Sequence, residues 1–227
     1  MRKRIVMLFT LTAFVMMLVT PLTISAEANQ DTSGAKVRVL HASPDAPAVD
    51  VYVNKDKIIS GMKFKELSEY LPLDEGSYDI KIFAAGSKPK KSDPVLEENL
   101  TFMAGEAYTL AASGKLNDLA LTEFSDDLTT VDDEAKLRVI HLSPDAPKVD
   151  VFSIDTPLFT DVGYEKATEY QNLPEGEYSV DIRPAGQDKA IFNVPNIQLK
   201  KGENYTAIAV GLLKGDPAFD LILAKDQ

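Results

Sequence analysis

From Lys36 to Phe124, apolar and polar positions alternate in short runs. Pro, Gly, Asp or Ser breaks the pattern about every ten residues, and no window sustains a helical period. The pattern predicts strands over 36–42, 49–54, 76–84, 95–102, 107–112 and 119–124, with a short one near Ile58. In Val49-Asp-Val-Tyr-Val53 the three valines share one face of a strand, and Asp50 and Tyr52 share the other. The plan recurs further on, with strands expected over 136–142, 149–154, 177–183, 190–199, 204–210 and 219–223.

The recurrence is a repeat. His41-Ala-Ser-Pro-Asp-Ala-Pro-Ala-Val-Asp-Val51 returns as His141-Leu-Ser-Pro-Asp-Ala-Pro-Lys-Val-Asp-Val151. Across 37–54 and 137–154, 11 of 18 positions are identical, whereas 55–67 against 155–167 gives none of 13, so something held one stretch while its neighbour drifted. Tyr70/Tyr170, Tyr78/Tyr178 and Ala85-Gly86/Ala185-Gly186 keep the same spacing. A shift of three then separates Gly105-Glu-Ala-Tyr-Thr109 from Gly202-Glu-Asn-Tyr-Thr206.

Between the copies, 125–135 carries a dense run of acids and reads as a linker extended by its own charge. The domains are therefore expected at 36–124 and 136–227. Each is about 90 residues, large enough to fold on one core. The expected fold is all-β: two tandem antiparallel β-sandwiches of immunoglobulin-like or transthyretin-like kind.

The shared stretch supplies the candidate site residues: His41, Ser43, Asp45 and Asp50, with His141, Ser143, Asp145 and Asp150. Ser43-Pro-Asp-Ala-Pro47 is turn chemistry, in which prolines fix the backbone and Ser and Asp accept its amides. A rigid corner is one reading. In the other, an imidazole and two carboxylates hold a cation or do acid–base work. One histidine per copy and no cysteine is a poor donor set for zinc, so no metal or cofactor is expected. Leu73-Asp-Glu-Gly-Ser-Tyr78 and Leu173-Pro-Glu-Gly-Glu-Tyr178 resemble the corner in which a tyrosine hydroxyl bonds back to nearby backbone. No nucleophile elbow, phosphate loop or dinucleotide fingerprint is present.

The opening of the chain changes the picture of location. Arg2, Lys3 and Arg4 precede an apolar run from Ile5 to Val19, Pro21 follows it, and Ala26-Glu-Ala28 fits a small-x-small cleavage site. A signal peptide is expected over 1–28 and a polar leader over 29–35, giving a secreted or extracytoplasmic surface protein with no membrane contact after cleavage. The run falls short of the ~20 apolar residues of a spanning helix. Net charge is −11. Such a chain is repelled by phosphate backbones, so nucleic acid is not an expected partner, and an extracellular protein or wall component is. Lys88-Pro-Lys-Lys91, the one basic cluster, reads as a solvated loop tip.

The run Val37 to Val53, with Tyr70, Leu73-x-Glu-Gly-x-Tyr78, Ala85-Gly86 and Gly105-x-x-Tyr-Thr109, resembles the bacterial "domain of unknown function 4397" family across nearly all of both copies. The resemblance implies an exported, all-β, tandem protein without an assigned activity. The second copy departs at Ser153-Ile-Asp-Thr-Pro157, where the family usually has an Asn/Asp-Gly-like hairpin turn. The expected function is an exported non-catalytic binding or structural module. The alternative is a metal-dependent or serine-type hydrolase built on the His-x-Ser-Pro-Asp-Ala-Pro stretch.

Overall fold

The computed structural model describes residues 34–227. The expected signal peptide, and all but the end of the leader, lie outside the described residues. The first repeat holds β1 (Ala35–His41), β2 (Val49–Val53), β3 (Asp56–Met62), β4 (Leu71–Leu73), β5 (Gly76–Ala84), β6 (Leu96–Phe102), β7 (Ala107–Ser113) and β8 (Ala120–Asp126). The second holds β9 (Glu134–His141), β10 (Val149–Ser153), β11 (Thr156–Val162), β12 (Lys166–Ala167), β13 (Gln171–Pro174), β14 (Gly176–Pro184), β15 (Phe192–Leu199), β16 (Asn204–Val210) and β17 (Asp220–Asp226).

Each repeat is a two-sheet sandwich. An outer sheet runs β3-β2-β5-β6 in the first and β11-β10-β14-β15 in the second; an inner sheet runs β4-β1-β7-β8 and β12-β9-β16-β17, with β13 also on β9. Pairing is antiparallel except between β1 and β7, and between β9 and β16, which run parallel. The short strands β4, β12 and β13 carry too few residues for a period to show. Tyr78 and Tyr178 form the expected corners, donating to the carbonyls of Asp74 at 2.9 Å and Pro174 at 2.8 Å.

Strand pairing reaches into the acidic stretch from both ends. β8 runs to Asp126 and β9 starts at Glu134, so the connection is only 127–133. It is tied down rather than extended by repulsion. Lys136 Nζ reaches Asp127 at 2.7 Å, and Asn204 donates to the Asp127 and Thr129 carbonyls. The hairpin at which the second copy departs from the family's usual turn also forms, with Ser153 paired to Thr156 and Ile154 at φ 57°.

The inner sheets explain why two repeats make one body. Every residue of β7 and of β16 is buried. In β1, Val37 and Val39 enter the sandwich core, while Leu40 joins a separate cluster with Phe124, Ile140, Leu142 and Ile208 that draws on both repeats. Period-two alternation thus feeds two apolar layers from one strand. Large side chains buried there contribute about 1.5–3 kcal/mol each, so the repeats are held together mainly by this layer.

Candidate functional site: the duplicated corner

The His-x-Ser-Pro-Asp-Ala-Pro segment carries the chain from the inner sheet to the outer one, from β1 to β2 and from β9 to β10. Its side chains turn back on the backbone. His41 Nε2 donates to the Pro47 carbonyl at 3.0 Å, and His141 Nε2 to that of Pro147 at 3.0 Å. Because a carbonyl only accepts, the ring proton sits on Nε2. In the second copy the free Nδ1 accepts from Ser143 N at 3.3 Å. Burial holds the His141 pKa below the ordinary imidazole value, against the opposing pull of Pro147, which keeps the ring neutral. Phe64 and Tyr164 pack edge-on against the two rings.

The aspartates are amide acceptors. Asp45 takes Leu116 N at 2.8 Å, and Asp145 takes Leu213 N at 2.6 Å and Lys214 N at 2.9 Å, lacing each corner to the loop after the parallel-paired strand. Asp50 accepts from Gly61 N at 2.8 Å, Gly86 N at 3.3 Å, Ser60 Oγ at 3.2 Å and Lys57 Nζ at 2.6 Å. Asp150 accepts from Asp161 N at 2.8 Å and Gly186 N at 2.9 Å. The register of β2 on β3 slips between Val49 and Val51, as does β10 on β11 between Val149 and Val151. The extra residue is a bulge whose left-handed amide, at Gly61 or Asp161, would have no ladder partner without the carboxylate. Burial works against the Asp50 charge, but the bonds from Lys57, Gly61 and Gly86 hold its pKa below the usual carboxylate value.

The eight expected residues therefore divide among separate tasks. Among the described residues no three His, Asp or Glu side chains gather at metal-binding spacing. Nor does serine face histidine as a nucleophile would: Ser143 Oγ donates to the Gly211 carbonyl at 2.7 Å, and both residues are fully buried. In the first copy His41 Nδ1 and Ser43 Oγ are buried without a hydrogen-bond partner.

A second constellation escaped the sequence reading. Between the inner sheets, Arg38 Nη2 reaches Asp226 at 2.5 Å, and Arg138 Nη2 bonds Asp126, so each arginine meets the other repeat's acid. Each guanidinium also lies over its own repeat's tyrosine, Arg38 on Tyr70 at 4.6 Å and Arg138 on Tyr170 at 4.7 Å. Tyr70 donates to Asp126 at 2.6 Å and Tyr170 to Asp226 at 2.7 Å. Thr109 and Thr206 each accept an arginine Nε and donate to the acid of their own repeat. The cluster is buried and electrically balanced. Burial opposes the Arg38 charge, but Asp226 and Asp126 hold its pKa above the ordinary value; burial and the neighbouring acids push Tyr70 and Tyr170 up. The signal was present in the sequence: Arg38/Arg138, Tyr70/Tyr170 and Asp126/Asp226 all keep one spacing. The loop 211–219 is three residues longer than 114–119, and this restores the register that slipped at Gly105/Gly202.

Two sandwiches set back to back, each with a corner closed on its own backbone, define a tandem all-β module. The chain belongs to the family described as Domain of unknown function (DUF4397), whose model matches residues 35–152 and again 135–227. No curated protein matches it. Among solved structures, the C-terminal domain of AlgF from P. aeruginosa is 19% identical with a TM-score of 0.33, covering 41% of this chain and 99% of that one. The Bacillus anthracis TIE protein is 13% identical with a TM-score of 0.27, covering 79% of this chain and 34% of that one. CBMbc of Eubacterium rectale Amy13K, solved with maltoheptaose, is 10% identical with a TM-score of 0.26, covering 85% and 97%.

Proposed function

We propose that this chain is an exported, non-catalytic binding or structural module that works outside the cytoplasm as one rigid two-sandwich body. The observation that carries the reading is the fate of the duplicated motif. Its aspartates hold amides of the bulge and of neighbouring loops, and its histidines pin the proline carbonyl of their own corner. Residues with such duties serve backbone geometry first, and in the second copy the same bonds engage both nitrogens of His141 and the hydroxyl of Ser143. The basic, apolar and small-residue order of the first 28 residues supports export.

Thermal melts test the reading. Asp50→Ala and Asp150→Ala are each expected to lower stability by about 1–3 kcal/mol, the cost of orphaning buried amides. Neither a chelator nor added calcium or zinc should move the parent's melting temperature. A cation-induced rise in the parent that disappears in both His41→Ala and His141→Ala would overturn it, because a ligand that binds only the folded state stabilises by mass action.

A further inference from the structure

The outer sheet of the first repeat holds a cleft of about 770 Å³ where the loop after β5 crosses the face turned away from the core. On that face Tyr52 and Phe83 meet edge-on with ring centroids 5.3 Å apart. Lys55, Lys81, Lys88, Lys90 and Lys91 line the cleft, against a single carboxylate, Asp93. Lys81 pairs with Glu97 at 2.6 Å. Among the described residues the other four make no ion pair. In a chain of net charge −11, like charges gathered around one concavity repel one another, and an anion seated between them relieves that repulsion.

The second repeat is the internal contrast. Arg183 stands in place of Phe83 and lies over Phe152 at 4.3 Å, with its charge met by Asp181 at 3.2 Å. Its loop there, Gln187-Asp188-Lys189, carries one lysine and one acid. The cationic cleft therefore belongs to the first repeat and is not a by-product of the shared fold.

We propose that this cleft binds an anionic saccharide chain, the ammonium groups meeting its carboxylates or phosphates and Tyr52 packing against a sugar ring. The proposal deepens the binding reading given above and rests on it. The floor is made by β2 and β5, which are paired on both sides, so no free strand edge is offered to an extended peptide. The overall negative charge repels any long polyanion, so the fitting ligand engages this cleft through a few charges and not along its whole length. A charged sugar oligomer presents an apolar ring face beside its charged groups, which suits Tyr52 beneath a lysine rim.

Titration calorimetry on the mature chain tests it, with a galacturonate hexamer as the carboxylate probe and a phosphate-bearing mannan as the phosphate probe. Maltohexaose and polyglutamate serve as the neutral-sugar and acidic-peptide controls. One or both anionic sugars should bind, more weakly as salt is raised, and roughly tenfold or more tighter than either control. Replacing Lys88, Lys90 and Lys91 together by Glu should abolish this binding with the melting temperature unchanged, and Lys189→Glu should leave it intact. Undiminished binding in the triple variant would overturn the cleft assignment while leaving the binding reading standing. Equal binding of polyglutamate, or no binding of either anionic sugar, would overturn the proposal, whereas the cation melts judge the broader reading independently.

Discussion

Ile154 occupies the first position of the β10–β11 turn at φ 57°, the conformation Asn54 adopts at the same point of the first repeat. Asparagine tolerates that region; a β-branched side chain pays for it, by about 1–2 kcal/mol. Ile154 is also 77% exposed, so its side chain recovers little by packing. Ile154→Asn should therefore raise stability by roughly 1 kcal/mol in denaturant titration, and an unchanged or lowered midpoint would show that the turn is held by something else. The departure from the family's usual turn marks this weak point, and the hairpin forms all the same because pairing along the flanking strands outweighs one strained residue. The motif aspartates were legible as amide acceptors from strand alternation and turn type. Which amides they take was not, because Gly61 and Gly86 lie on other strands and loops and no local pattern ties them to Asp50. Asp126 was hidden among the acids of the connecting stretch, and Asp226 at the penultimate position.

At the scale of elements, the long inner strands β1, β7, β8, β9, β16 and β17 were placed to within a few residues, β4, β12 and β13 were not expected, and the polar faces of the long strands were not understood. Arg38 and Thr109 look solvent-facing in an alternating pattern, and they are buried because a second sheet covers them. Such a buried ionic cluster contributes little net stability, since desolvation offsets attraction; the apolar layer around it supplies the affinity and the ion pairs fix the register. Asp226→Ala removes the acid closest to Arg38 and leaves two buried guanidiniums to share Asp126, and should cost about 3–5 kcal/mol in chemical denaturation. Arg38→Met combined with Asp226→Leu should cost far less. Similar losses in the single and double variants would mean that the charges themselves hold the sheets together.

For the whole molecule, the layer between the repeats qualifies the expectation that each 90-residue half stands on its own core. A fragment of residues 35–126 would expose Leu40, Ala111 and Phe124 and lose the acid that meets Arg38. It should melt at least roughly 10 °C below the intact chain and regain stability when mixed with residues 134–227, which sedimentation would register as a one-to-one complex. A fragment as stable alone as in the pair would show that the contact is incidental. The same crossing of partners fixes where the chain enters and leaves this body. β1 and β17, the first and last strands described, lie within reach of one hydrogen bond, Arg38 to Asp226. A load applied through β1 and β17 would bear on that contact. For the same reason, a short bridge from β17 back to β1 would let the chain be reopened in the 127–133 connection, giving a circularly permuted protein with the same body and new ends.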